Sequence, residues 1–255
     1  MPAIRSSRGS RSGQAGGYFG AQLYDVRRIT LNGRIFSTDI AEAKAKRRAI
    51  QQALPLFPMP VTMRYVDDDG QVYLIYCQVM DFKMPIARFQ GKSIFKIELE
   101  ASDPVIYDDT AGSALSATIL QALPGGVQFT DTTPLFDSFY FSAGQTDATV
   151  TNTSGIASFP VITIPGAINN PVFTNRTTGE SFRLAGYSVG ADAVTIINMG
   201  ERTVTLNGGN AFAYAPSDVN WWALVPGNNR IEFSSGGGSD GTQATMTWRP
   251  GYWGI

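Results

Sequence analysis

From Phe159 to Ile255 the chain alternates apolar and polar residues in pieces of five to eight, each closed by Gly, Asn or Pro. Alternation with a period of two puts every second side chain on one face of a strand, so each piece buries one face and wets the other. Short strands recurring about every ten residues predict a β-sandwich or closed barrel. Composition agrees: charged residues make up 16% of the 255 and glycine contributes 27, which suits turn-rich β structure better than a helical bundle. Further candidate strands precede this run, and together they are Val127–Thr130, Ser138–Ser142, Ala148–Thr151, Phe159–Ile164, Pro171–Thr174, Ser181–Ala185, Ala193–Met199, Thr203–Leu206, Asn220–Leu224, Arg230–Phe233 and Thr242–Arg249. In the last of these, Ala244, Met246 and Trp248 are expected to face inward and Thr245, Thr247 and Arg249 outward.

The front of the chain reads differently. Residues 1–17 are rich in Gly, Ser and Arg and are expected to be a flexible basic arm. Arg27–Phe36 is expected to form two short strands joined at Asn32-Gly33, a strong hairpin signal. Ser37–Leu54 changes to helical spacing, with Asp39 as cap, Glu42 three residues on, and Pro55 as the stop. Val61–Val66 and Gln71–Phe82 flank the acidic turn Asp67-Asp68-Asp69-Gly70. Ser93–Ala101 alternates, with Phe95, Ile97 and Leu99 on one side and Lys96, Glu98 and Glu100 on the other. Thr110–Gly126 is the expected join, which gives an arm (1–17), a first domain (18–122) and a second domain (123–255).

Charge divides unevenly. Residues 1–48 hold ten Lys/Arg against three Asp/Glu, a net of +7, and the other 207 residues carry a net of −8. A basic front on an acidic body suits docking onto a negative surface, either of nucleic acid or of a neighbouring subunit. Arg27, Arg28, Lys44, Arg47 and Arg48 are the suspected assembly residues, and Trp221 and Trp222 are possible surface contacts.

Chemistry is scarce. With no histidine, the chain lacks the imidazole of Ser and Cys triads and of most zinc sites. The single cysteine, Cys77, sits in an apolar run and reads as a small core residue. Gly91-Lys92-Ser93 lacks the upstream glycine of a phosphate loop, Asp67–Asp69 is too short for a calcium loop, and Ser234–Gly241 precedes a strand instead of a helix. No catalytic, cofactor or metal site is expected. The sequons at Asn152 and Asn175 carry no weight, because no secretory signal or membrane span is recognisable and the protein is expected to stay soluble in the cytoplasm where it is made.

Four stretches carry a family resemblance: Phe159–Gly166 (FPVITIPG), Asn170–Glu180 (NPVFTNRTTGE), Arg202–Gly208 (RTVTLNG) and Trp222–Ile231 (WALVPGNNRI). Together with Arg28–Gly33 (RITLNG) and Ala101–Tyr107 (ASDPVIY), they make the chain resemble siphophage distal tail proteins (Dit). The resemblance implies a β-rich ring-forming domain with one helix and a galectin-like β-sandwich. It also implies a hexameric ring at the distal end of the virion tail, joining the tail tube to the tip complex around a channel for DNA. Expected partners are the tail tube protein, the tape measure, and tip hub, fibre or receptor-binding proteins. The competing reading is a carbohydrate-binding module that uses the second domain, with an exposed tryptophan stacked on a sugar.

Overall fold

The computed structural model describes residues 1–54, 61–84, 92–122, 126–128, 140–142, 147–236 and 242–254. It divides into two compact units, Met1–Thr110 with Tyr252–Ile255, and Ala111–Gly251. The first unit ends at Thr110, where the expected join Thr110–Gly126 begins, and it also takes in residues 252–255.

The first unit contains β1 (Ile4–Ser10), β2 (Gly17–Tyr24), β3 (Arg27–Phe36), α1 (Ile40–Ala53), β4 (Val61–Val66), β5 (Val72–Lys83), β6 (Lys92–Ala101) and β7 (Ile106–Asp108). Residues 4–10, expected to be unstructured, pair with β2 as a hairpin that has a bulge between Ser6 and Arg8. β3 is one straight strand, paired residue for residue with β6 from Arg27↔Ala101 to Phe36↔Lys92. The expected hairpin at Asn32-Gly33 is thus corrected. Gly33 lies mid-strand opposite Phe95, and a Cβ there would collide with the Phe95 ring. The glycine is a seat for an aromatic side chain rather than a turn.

Strand β5 serves β4 and β6 in turn and also pairs with β7 at Tyr73 and Leu74. Val72–Cys77 pairs with β4, and Gln78–Lys83 pairs with β6 across a bulge at Met80. Tyr73, Ile75, Cys77, Ile97, Leu99, Ala101 and Ile106 form the buried cluster, and Ile50 of α1 and its C-cap residue Leu54 pack against it. The alternation expected in β6 holds, since Ile97 and Leu99 are buried and Glu98 and Glu100 face the other way. Helix α1 starts as expected: the Asp39 side chain accepts from Glu42 N–H at 2.8 Å, and Glu42 reaches back to Thr38 N–H at 2.7 Å. The expected stop, Pro55, lies outside the described residues.

The second unit contains β8 (Leu115–Leu120), β9 (Gly126–Gln128), β10 (Tyr140–Ser142), β11 (Ala148–Asn152), β12 (Val161–Pro165), β13 (Ile168–Asn169), β14 (Val172–Asn175), β15 (Glu180–Arg183), β16 (Ser188–Val189), β17 (Val194–Asn198), β18 (Thr203–Leu206), β19 (Gly209–Asn210), β20 (Gly227–Ser234) and β21 (Gln243–Trp248). A last strand, β22 (Gly251–Tyr252), joins β7 at the edge of the first unit's sheet. One sheet has the order β11-β20-β14-β15 and the other β19-β18-β17-β12-β21-β8. Phe173, Phe182, Ile231 and Phe233 from the first sheet share a core with Ile162, Ile197, Ala244, Met246 and Trp248 from the second, so the unit is a β-sandwich. Phe173 and Phe233 face each other across β14 and β20 with their rings stacked at 4.5 Å. Most of the expected strands appear within a residue or two of their limits. Asn220–Leu224 is corrected: it makes a single bridge, Leu224 to Ser158, and otherwise runs irregularly. Residues 129–139 and 237–241, which include parts of two expected strands and of the Ser234–Gly241 tip, lie outside the described residues.

Candidate assembly surface

The suspected assembly residues do not act alike. Arg27 is buried at 9% exposure. Its Nε donates to the Pro104 carbonyl at 2.9 Å and its Nη2 to the Trp253 carbonyl at 2.8 Å, so it clamps the returning C-terminal end onto β3. Burial pulls its pKa below the ordinary arginine value. This guanidinium is spent inside its own chain and is withdrawn as a contact to a neighbour.

Arg28 points to the opposite face, open to solvent, and pairs with Glu100 at 3.1 Å. That face is polar across three strands. Cross-strand register aligns Arg28, Glu100 and Gln78, then Thr30, Glu98 and Asp81, then Asn32, Lys96 and Lys83. Ion pairs Lys96–Glu98 at 2.5 Å and Lys83–Asp81 at 2.7 Å leave it nearly charge-balanced. Next to Lys83, the Asp81 carboxyl sits below the usual carboxylate range.

On α1, Lys44 and Arg48 are exposed and Arg47 is half-buried. Lys46, one turn after Glu42, pairs with it at 2.7 Å and donates to the Phe36 carbonyl at 2.8 Å. The hydrogen bond from Lys46 and those from Thr38 hold the Glu42 carboxyl at about 2. The helix thus presents Lys44 and Arg48 outward from a stem tied down by Lys46.

Much apolar surface of this unit stays wet. Phe36, Ile40, Tyr65, Val66, Met80 and Ile94 are all exposed, as are Tyr18, Phe19 and Leu23 on the hairpin. Among the described residues, β3 hydrogen-bonds only to β6 and β4 only to β5, so each offers an unpaired edge. Exposed apolar side chains beside free strand edges are candidates for an interaction surface. The hairpin, with Arg5 and Arg8 on it, stands where the sequence predicts a flexible basic arm. The cue was present in Tyr18–Tyr24, an apolar stretch able to template residues 4–10.

In the second unit the two tryptophans separate. Trp222 is 1% exposed and donates from its indole N–H to the Phe173 carbonyl at 3.3 Å, so it is a core residue and is withdrawn as a surface contact. Trp221 is half-buried, against Phe182 at 4.7 Å and stacked parallel to the exposed Phe212 at 6.1 Å. The sequon asparagines are structural. Buried Asn152 donates to the Ile156 and Leu224 carbonyls, and buried Asn175 donates to Asn229 and accepts from Thr177 N–H. Burial raises the Cys77 thiol pKa, the opposite of what a nucleophile needs. Among the described residues, no group of three or more His, Cys, Asp or Glu side chains could hold a metal ion, and no helix is long and apolar enough to cross a membrane.

Comparison with known proteins puts a family beside this geometry. Residues 153–252 match the family described as "Siphovirus-type tail component, C-terminal domain" (SPP1_Dit). The fold is similar to that of the SPP1 Dit crystal structure, described as a hub adsorption apparatus in Gram-positive infecting phages. That match has a TM-score of 0.68 and 12% identity, and covers 99% of this chain and 89% of that one. It is also similar to chains of the phage P2 baseplate in its activated conformation, with Ca at a TM-score of 0.54 and with Sr at 0.53. Both are 11% identical and cover 99% of this chain and 88% of theirs. None of the curated proteins matches the sequence. The resemblance to siphophage distal tail proteins drawn from the sequence is borne out by the family match over residues 153–252, and the solved structures show a shared fold.

Proposed function

We propose that the chain is a non-catalytic structural protein of the distal phage tail, a baseplate hub whose copies close into a hexameric ring between the tail tube and the host-recognition complex. The observation that carries this reading is the contrast within one chain. A closed sandwich of the tail-component family is joined to a first unit that leaves strand edges and apolar side chains uncovered. A ring requires two different patches per subunit that mate head to tail and close. The free edges of β3 and β4 lie on two different strands and meet that requirement by strand addition. The basic face of α1, with Lys44 and Arg48 outward, supplies charge for the same assembly. The polar, nearly charge-balanced face of β3, β6 and β5 suits the wall of a water-filled channel, since it neither attracts nor repels passing DNA strongly. Loops of the second unit, including the Trp221–Phe212 stack, are the surface left for tip proteins.

Negative-stain imaging of the full chain, alone and mixed with tail-tube protein, tests this. Sixfold rings with a central opening are expected. Particles that remain single in both samples would contradict it.

A further inference from the structure

Hairpin β1–β2 has two unlike faces. The register places Ile4, Tyr24, Ser6, Gln22, Gly9 and Tyr18 on one face, without a charged residue. That face is tied to the body at its base, where Tyr24 packs on Trp253 at 4.2 Å and Asp25 N–H donates to the Ala3 carbonyl at 2.8 Å. The other face carries Arg5 opposite Leu23 and Arg8 opposite Phe19. Phe19 is 76% exposed and Leu23 56%. Among the described residues, neither arginine has an ion pair. A two-stranded hairpin with a wet apolar face is marginal in isolation.

The same unit carries a surface of opposite sign. Edge strand β4 ends in Tyr65 and Val66, with Val66 62% exposed, and runs into the turn at Asp67, Asp68 and Asp69. Asp67 is used within the turn, accepting from Asp68 N–H at 2.8 Å. Asp68 and Asp69 are exposed and, among the described residues, lack ion pairs. One surface pairs two cations with Phe19 and Leu23, and the other pairs two free anions with Val66, whereas Tyr65 turns to the opposite face and stacks on Tyr73. Within one copy both stay open to solvent, so they do not satisfy each other.

We propose that the Arg5–Arg8–Phe19–Leu23 face of one copy docks on the Val66–Asp68–Asp69 end of β4 in a second copy. Each subunit carries one of each surface, which allows a head-to-tail contact, and repetition of such a contact builds a ring or a filament. The proposal rests on the ring reading above and names the surfaces that mate. Opposite charge sets partner and register, and the apolar pair supplies the buried area.

A charge swap in the full chain tests it. Sedimentation velocity is run on the wild type, on R5E/R8E, on D68R/D69R and on the variant carrying both pairs. Each single reversal is expected to weaken assembly on the order of tenfold or more, and the combined swap to restore it. Restoration shows that the single variants are folded. Assembly by both single reversals as strong as wild type overturns the hairpin contact and leaves the ring standing on its other surfaces. Loss of retention on single-stranded DNA in R5E/R8E, with assembly unchanged, overturns it in favour of a nucleic-acid occupant. A wild type that never assembles, even with tail-tube protein, removes the ring reading and this contact with it.

Discussion

The second unit closes on itself and the first does not. Among the described residues, the sandwich buries twenty clustered hydrophobic side chains, including Trp222 and three phenylalanines, whereas the first unit buries seven. The sandwich also spends its buried polar groups internally, through Asn152, Asn175 and Asn229. The first unit leaves Phe19, Phe36, Val66 and Ile94 in water. On the proposed function, one half is finished as a monomer and the other is shaped for neighbours. Substitutions in the sandwich core should therefore act on stability, and substitutions on the first unit's surface should act on assembly.

The largest expected effect is in the sandwich. Trp222→Ala removes a fully buried indole and should cost about 3–5 kcal/mol of that unit's stability, read by chemical denaturation. A loss below about 1 kcal/mol would mean that this core is not as tightly closed as described. Next is the clamp in the first unit. Arg27→Ala deletes two charge-assisted bonds to backbone carbonyls and should cost about 2 kcal/mol, with faster hydrogen exchange at the C-terminal end. Of similar size, Gly33→Ala forces Phe95 off its seat at a cost of about 1–3 kcal/mol. Adding Phe95→Ala should then cost less than the sum of the two single changes, a coupling measurable by a double-mutant cycle.

A smaller effect belongs to the helix. Glu42 has a folded pKa of about 2 against an ordinary value of 4.5. Its contribution is therefore present above the ordinary value and is lost as pH falls through about 2. The N-terminal turn of α1 should fray between those limits, as followed by hydrogen exchange, and Glu42→Gln should flatten that pH dependence. The smallest effect is expected for Glu100→Gln, which breaks an exposed ion pair with Arg28 and should change stability by less than about 1 kcal/mol.

The same contrast explains what the sequence disclosed. The sandwich strands were legible because each has one buried face, as in Ala244, Met246 and Trp248. Helix α1 was legible from Asp39 and Glu42, whose capping is local. Asn-Gly illustrates the limit. Asn207-Gly208 makes a tight turn between β18 and β19 with both φ positive, at 48° and 80°, while Asn32-Gly33 runs straight through β3. The dipeptide permits the turn, but the unbroken ladder with β6 holds it extended with Phe95 over Gly33, a long-range pairing that no local pattern records. Arg27 and Arg28 are neighbours on a strand, so one faces in and the other out, and charge alone did not tell which. The hairpin at residues 4–10 was hidden because its polar sequence is ordered by Tyr18–Tyr24 rather than by a core of its own.

On the proposed function, the first unit's open surfaces join copies of this chain into a closed ring. Sedimentation equilibrium of the full-length protein over a range of concentrations, with and without tail-tube protein, tests it most directly. A species of six chains of 27.5 kDa, about 165 kDa, is the predicted result. A mass fixed at 27.5 kDa under every condition would contradict it.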